Sequence, residues 1–200
     1  MQIEISRWDA LLFDLDGTLV DTMPLHYRAY ADVLAARGLS LSHADFLTEV
    51  GAPAREAIPR FVRAGGGRDC SAEEAAAIHA DKKAAFAGVL ATARLAPLRA
   101  AELLDAAGPD MPVALVSSGN RAGVTAILQA MGWADRFRLV VTGDDVTHGK
   151  PHPEPYLRAA AALGVPPARC LALEDTRDGL RSARAAGMTA LDVADAWTIG

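Results

Sequence analysis

The sequence contains few cysteines, no excess of basic residues and no long apolar segment. Its two cysteines, Cys70 and Cys170, give no disulfide framework, so we expect reduced thiols, with a single bridge as the alternative. The net charge is -5, whereas proteins that bind nucleic acids usually carry an excess of clustered basic residues. No apolar run approaches the roughly 18 residues of a membrane span. We therefore expect neither nucleic acid nor a membrane as a partner.

The N-terminal residues carry no signal-peptide pattern. The chain begins Met-Gln-Ile-Glu-Ile, without a basic segment followed by a long apolar one. Together with the expected reduced thiols, this predicts a cytoplasmic protein. A length of 200 residues allows one domain, or one domain that carries a smaller insert. The expected assembly is a monomer, with a dimer left open.

The stretch 11–18, Leu-Leu-Phe-Asp-Leu-Asp-Gly-Thr, organises the rest of the chain. Its unbroken apolar start predicts a strand buried on both faces, as in a parallel sheet. Because side chains alternate along a strand, Asp14 and Asp16 would leave it on one side. Two carboxylates held close need a shared proton, a raised pKa or a cation, and an all-oxygen site suits Mg²⁺. The alternative is a solvated Asp-Gly turn.

The remaining chain divides into a helical block and a region where strands and helices alternate. Residues 21–92 show helix signals and no convincing strand. Within them we predict a short helix over 55–62 and a flexible connection at Gly65-Gly66-Gly67. Four apolar runs follow, separated by helical segments: 113–116, 139–141, 170–173 and 189–193. This alternation predicts an α/β fold, a doubly wound parallel sheet formed by residues 1–20 and 93–200, with 21–92 as an inserted helical domain.

Polar residues follow three of the predicted strands at the point where each strand ends. Asp14 and Asp16 follow the first, Ser117 follows the second, and Glu174 and Asp175 follow the last but one. In open parallel sheets, ligands bind beyond the carboxyl ends of the strands. We therefore expect these side chains to gather at one edge of the sheet.

Four segments resemble, in order, the motifs of the haloacid dehalogenase superfamily of phosphoryl-transfer enzymes. They are 14–18, 113–117, Lys150 within 149–156, and 174–179 with the downstream 185–188. The helical insert directly after the first motif resembles the cap of the phosphoglucomutase-like branch, which includes sugar-phosphate phosphatases such as fructose-1-phosphate phosphatase. The resemblance implies a Rossmann-like core with a helical cap, and a Mg²⁺-dependent phosphatase acting on a small phosphorylated metabolite.

The resemblance also implies a role for each motif residue. Asp14 would be the nucleophile that forms an aspartyl-phosphate, and Asp16 the general acid and base. Lys150 would hold the charge of the phosphate and of Asp14. Hydroxyl groups would hydrogen-bond phosphoryl oxygens: Thr18, Ser117 and Ser118. Mg²⁺ would be held by four acidic residues: Asp14, Asp16, Glu174 and Asp175. Glu174 would bind it either directly or through water.

The helical block offers three candidates for substrate contacts. His26 follows Asp14 by twelve residues, a spacing that resembles the sugar-phosphate branch. The alternative for His26 is a half-buried helical histidine. Lys82 is preferred over its neighbour Lys83, because adjacent helical side chains point about 100° apart. Arg55 is the third candidate.

Residues 51–57 bear on whether the enzyme releases or transfers phosphate. Sugar-phosphate mutases of this branch resemble one another in a loop Gly-x-Ser-Arg-x-x-Ser, whose arginine grips the distal phosphate. This chain has Gly-Ala-Pro-Ala-Arg-Glu-Ala, with Ala54 at the arginine position and Arg55 one residue late. We therefore expect hydrolysis of a monophosphate, with a β-phosphoglucomutase-type mutase as the alternative. An inactive binding or regulatory protein is a third interpretation.

Two histidines flank the lysine of the third motif. His148 and His152 lie two residues before and two residues after Lys150. Because Mg²⁺ prefers oxygen ligands, we expect both to be loop residues rather than metal ligands.

Overall fold

A computed structural model describes residues 2–199. Its chain divides into two compact units, Met1–Asp21 with Leu95–Gly200, and Thr22–Arg94. The sequence predicted boundaries between these units after residues 20 and 92, and the structure has them after Asp21 and Arg94. Within the described part of the chain, no helix is both long enough and apolar enough to cross a membrane.

The described residues form these strands and helices, in chain order: β1 (Gln2–Ile3), β2 (Ala10–Phe13), α1 (Met23–Ala35), α2 (His43–Thr48), α3 (Ala54–Gly66), α4 (Ala72–Thr92), α5 (Ala101–Ala106), β3 (Val113–Val116), α6 (Arg121–Ala130), β4 (Leu139–Val141), α7 (Glu154–Leu163), β5 (Cys170–Glu174), α8 (Arg177–Ala185), β6 (Thr189–Asp192) and β7 (Thr198–Ile199).

Five strands form a parallel sheet in the order β4-β3-β2-β5-β6. The first predicted strand, β2, is central, and its Leu12 lies between Ala114 of β3 and Ala172 of β5. A helix connects each successive pair of strands from β3 to β6. The prediction of an α/β fold with a doubly wound parallel sheet is therefore confirmed. A separate parallel pair, β1 with β7, was not predicted, because two-residue strands carry no readable pattern.

The sheet buries apolar side chains on both faces. Leu12 and its neighbours pack in one cluster with Tyr156 and Ala159 of α7 and Ala183 of α8. Alternate residues such as Phe13 point to the opposite face and are also fully buried. Burial on both faces explains why the strands read as unbroken apolar runs.

The helical unit has its own apolar core, formed by side chains of α1, α2, α3 and α4. Ser42 and Ser71 cap α2 and α4, each accepting a hydrogen bond of 3.0 Å from a backbone N–H three residues later. The predicted flexible connection at 65–67 is wrong. Helix α3 continues to Gly66 and ends at Gly67, whose φ is +64°. A Cβ at Gly65 would lie 2.0 Å from the Ser40 carbonyl oxygen, so the close packing requires glycine.

Candidate active site

The carboxyl ends of β2, β3 and β5 hold the predicted motif residues. The backbone N–H of Asp14 donates to the Leu173 carbonyl at 3.0 Å, and that of Ser117 donates to the Val141 carbonyl at 2.9 Å. These bonds continue the sheet pairing one residue past each strand. The sheet therefore holds the backbone of both residues, and both residues are buried.

Lys150 places its ammonium group among acceptors from three strand ends. Its Nζ lies 2.7 Å from Asp14 Oδ1, 2.5 Å from Glu174 Oε1 and 2.7 Å from the Val116 carbonyl oxygen. An ammonium group has three hydrogens, so all of its donors are used. The side chain is only 6% exposed. Burial would lower the pKa of Lys150, but the charges of Asp14 and Glu174 outweigh it and raise that pKa.

Glu174 is fully buried and hydrogen-bonded through both oxygens. Its Oε1 accepts from Lys150 and from the Tyr156 hydroxyl, the latter at 2.6 Å, and its Oε2 accepts from Thr176 at 3.3 Å. A Cβ at Gly179 would lie 2.0 Å from the Glu174 carboxylate, so this close approach requires glycine. Sequence reasoning missed Tyr156. The available signal was a tyrosine on the apolar face of a helix, whose buried hydroxyl needs a partner.

Asp175 lies against the turn that follows β2. Its Oδ1 accepts a hydrogen bond of 3.1 Å from the Thr18 hydroxyl. Gly17 has a φ of +86°, and a Cβ there would lie 2.2 Å from Asp175 Oδ2. Glycine is therefore required both by the backbone and by the approach of the carboxylate. Burial, followed by the charge of Glu174, raises the pKa of Asp175 to about 6.

Asp16 and Ser117 both lie close to Gly119. A Cβ on Gly119 would lie 3.2 Å from Ser117 Oγ and 3.9 Å from Asp16 Oδ2. The Gly119 N–H donates to Ser117 Oγ at 3.0 Å, which leaves the hydroxyl hydrogen of Ser117 available for another acceptor. Ser118 is exposed.

Three carboxylates lie together with one ammonium group. Ligand oxygens of Asp14, Glu174 and Asp175 lie within 4.8 Å of one another. Burial raises the pKa of Asp14 well above its usual range, and the charge of Lys150 opposes this rise. One lysine cannot offset three ionised carboxylates. The residues therefore fit a divalent cation, and their all-oxygen donor set matches Mg²⁺.

The helical unit brings two of its three predicted candidates together. Lys82 Nζ lies 2.6 Å from His26 Nδ1, and the His26 ring stacks on Phe86 with centroids 4.4 Å apart. Of the two adjacent lysines, Lys82 is buried and Lys83 is exposed. Arg55 is not part of this group: its side chain is 81% exposed and pairs with the neighbouring Glu56.

Comparisons with known proteins show the same organisation. Residues 8–187 match the haloacid dehalogenase-like hydrolase family. The protein CbbY of Rhodobacter capsulatus is 36% identical, covering 96% of this chain and 87% of its own. Fructose-1-phosphate phosphatase YqaB of Escherichia coli is 30% identical, covering 94% and 97%.

Crystal structures of CbbY from Rhodobacter sphaeroides have been solved with phosphate and, in a mutant, with xylulose-1,5-bisphosphate. The phosphate complex superposes with a TM-score of 0.80 at 31% identity, covering 96% of this chain and 87% of that one. The xylulose-1,5-bisphosphate complex gives a TM-score of 0.79 at 30% identity, with the same coverage. The predicted enzyme class, a phosphoric monoester hydrolase, is confirmed by the family match and by these relatives. The chain belongs to the haloacid dehalogenase-like hydrolase family, in the branch that includes CbbY and sugar-phosphate phosphatases.

Proposed function

We propose that this enzyme is a Mg²⁺-dependent phosphatase that hydrolyses a small sugar phosphate through an aspartyl-phosphate on Asp14. The observation that carries the proposal is the setting of the Asp14 carboxylate. It is buried, held by Lys150 at 2.7 Å, and grouped with Glu174 and Asp175. A fixed anionic nucleophile beside cationic charge is what attack on a phosphoryl group requires.

The metal ligands we propose are the carboxylates of Asp14 and Asp175, with the backbone carbonyl of Asp16. Glu174 is near enough to join them. Its two oxygens already accept hydrogen bonds, so we assign it first to holding Lys150, and to the metal through water. When bound, Mg²⁺ would offset the negative charge of the carboxylates and of the phosphoryl oxygens.

The residues of the α/β unit then have separate tasks. A carboxylate oxygen of Asp14 attacks phosphorus, and Asp16 protonates the leaving alcohol and later takes a proton from water. Lys150 stabilises the charge on the phosphoryl group, and Ser117 donates its hydroxyl hydrogen to a phosphoryl oxygen. Ser118 is proposed to assist from the exposed side. The Thr18 hydroxyl donates to Asp175, so its donation to phosphate would require that bond to change.

For the substrate, we propose a sugar monophosphate, as named for the fructose-1-phosphate phosphatase relative. A bisphosphate needs a cationic grip at each end. The arginine position of the mutase loop is Ala54, and Arg55 is exposed beside Glu56. We propose that His26 and Lys82 provide the substrate contacts of the helical unit, and that Arg55 would join them only by leaving Glu56. Two unpaired thiols also support a cytoplasmic location.

The proposal is tested by measuring phosphate release from p-nitrophenyl phosphate, fructose 1-phosphate and xylulose 1,5-bisphosphate. We expect turnover that EDTA abolishes and excess Mg²⁺ restores, with fructose 1-phosphate preferred over the bisphosphate. Full activity in EDTA would contradict the proposed dependence on Mg²⁺. In a second assay, β-glucose 1-phosphate is supplied with a trace of glucose 1,6-bisphosphate. Rapid formation of glucose 6-phosphate with little free phosphate would favour the mutase instead.

A further inference from the structure

A second group of ligand-bearing side chains lies in the segment between β4 and α7. His148, His152 and Glu154 each offer one ligand atom, and the three atoms lie within 4.8 Å of one another. None of these residues belongs to the carboxylate cluster around Asp14. The group contains two imidazoles and one carboxylate, a donor set that suits Zn²⁺ and similar transition-metal ions better than Mg²⁺.

Two distances within this group lie on either side of the ligand spacing of a tetrahedral site. His148 Nδ1 lies 2.9 Å from Glu154 Oε2, and His152 Nδ1 lies 4.0 Å from the same oxygen. Zn²⁺ bonds of about 2.0–2.1 Å place neighbouring tetrahedral ligands about 3.3 Å apart. To bind an ion, side-chain rotations would have to lengthen the shorter of the two observed distances and shorten the longer one. Three protein ligands would leave a fourth position for water.

The segment that carries the ligands is already held in place. Glu154 accepts hydrogen bonds from the backbone N–H groups of Thr147 at 2.7 Å and of His148 at 3.0 Å. These bonds hold the carboxylate near the histidines before any ion binds. The side chains of His148 and His152 are 62% and 51% exposed, so an ion can reach them. Ion binding would displace two hydrogen bonds, the one from the Glu154 N–H to His152 Nδ1 at 3.2 Å and the one between His148 Nδ1 and Glu154 Oε2 at 2.9 Å.

We propose that His148, His152 and Glu154 form a Zn²⁺ site, separate from the Mg²⁺ site, that braces the loop carrying Lys150. Lys150 lies midway between the two histidines in sequence, and its ammonium group contacts Asp14. An ion that joins both histidines to Glu154 at the start of α7 fixes the backbone on both sides of Lys150. Binding to the folded state alone raises its stability.

The test is a calorimetric titration of the full chain with Zn²⁺ in excess Mg²⁺, which is added to occupy the proposed Mg²⁺ site. The variants are His148→Ala and His152→Ala, and the control is His43→Ala, which removes an exposed histidine of α2. We expect the wild type and His43→Ala to bind one Zn²⁺ ion with equal affinity. Each of the other variants should bind at least about tenfold more weakly. Zn²⁺ should raise the melting temperature of the wild type and leave that of His148→Ala unchanged.

A second measurement requires no variant and so does not depend on how a variant folds. Co²⁺ added to the wild type in excess Mg²⁺ should give visible absorption bands typical of nitrogen ligands at low coordination number, and Zn²⁺ should remove them. Equal Zn²⁺ affinity in the wild type, His148→Ala and His152→Ala would overturn the proposal. So would the absence of both Zn²⁺ binding and Co²⁺ bands in the wild type.

Discussion

The hydroxyl group of Tyr156 donates a 2.6 Å hydrogen bond to Glu174, and both residues are fully buried. The same Glu174 oxygen accepts from Lys150, whose Nζ also lies 5.3 Å from the centroid of the Tyr156 ring. Tyr156 therefore holds the Glu174 carboxylate in place, and Glu174 in turn holds Lys150 beside Asp14. Because its hydroxyl acts through Glu174, we regard Tyr156 as a positioning residue.

Substitution Tyr156→Phe should lower both stability and turnover. The change removes one donor to a buried carboxylate while keeping the ring, at a cost of about 1–3 kcal/mol in the free energy of unfolding. The looser Lys150 should lower kcat about tenfold. The matched control is Tyr27→Phe, which removes a 3.1 Å bond to the Leu41 carbonyl within the helical unit. Urea unfolding and steady-state kinetics measure both effects. An equal loss of kcat in the two variants would contradict the positioning role.

Substitution Gly179→Ala should disturb Glu174 directly. The added methyl group would lie 2.0 Å from the carboxylate, so one of the two must move. We expect a loss of about 1–3 kcal/mol in unfolding free energy, together with reduced activity. Gly88→Ala is the control, because Gly88 lies within α4 and its Cβ would meet nothing within 4 Å. That variant should gain about 0.5–1 kcal/mol. Unchanged stability in Gly179→Ala would show that the carboxylate is not confined as described.

The stability of the metal-free enzyme should depend on pH through Asp175. Its pKa is raised from 3.8 to about 6 by burial and by Glu174. The folded state therefore binds the proton more tightly than the unfolded state. This contribution is fully present below pH 3.8 and is lost as pH rises through about 6.

The variant Asp175→Asn should not lose stability in this way as the pH rises, because an amide does not ionise. In EDTA, the unfolding free energy of the variant minus that of the wild type should rise by up to about 3 kcal/mol between roughly pH 4 and pH 7.5. Mg²⁺ should reverse the difference at neutral pH, because only the wild type keeps the charged ligand. Denaturant unfolding at several pH values measures this. Parallel profiles for the two proteins in EDTA would contradict the raised pKa.

Much of the α/β unit could be predicted because its strands are short, apolar and buried on both faces. The runs 113–116 and 139–141 coincide with β3 and β4 as observed. A polar residue after each run marked the strand end, and parallel strands bring such ends to one edge. Local chemistry therefore indicated where Asp14, Ser117 and Asp175 lie.

Patterns within single segments could not predict the contacts that organise the site, because these contacts join residues distant in sequence. The pairing of Lys150 with Asp14 was expected only from the family resemblance. Lys150 reaches Asp14 across 136 positions, and it reaches Glu174 across 24. His26 and Lys82 meet across 56 positions. No pattern within a single segment encodes such pairs. The extension of α3 through Gly65 was missed for a related reason: its glycine fits the backbone of a distant residue, Ser40, rather than a loop.

The most direct test of the central claim is to identify the phosphorylated residue. The enzyme is mixed with p-nitrophenyl phosphate and Mg²⁺, quenched with acid and reduced with borohydride, which converts an acyl phosphate of aspartate into homoserine. Peptide mass spectrometry then locates the change, with Asp16→Ala used to accumulate the intermediate and Asp14→Asn as the control. We predict homoserine at position 14 in the wild type and in Asp16→Ala, and none in the inactive Asp14→Asn. Near-normal turnover in Asp14→Asn, or homoserine at another position only, would contradict the mechanism.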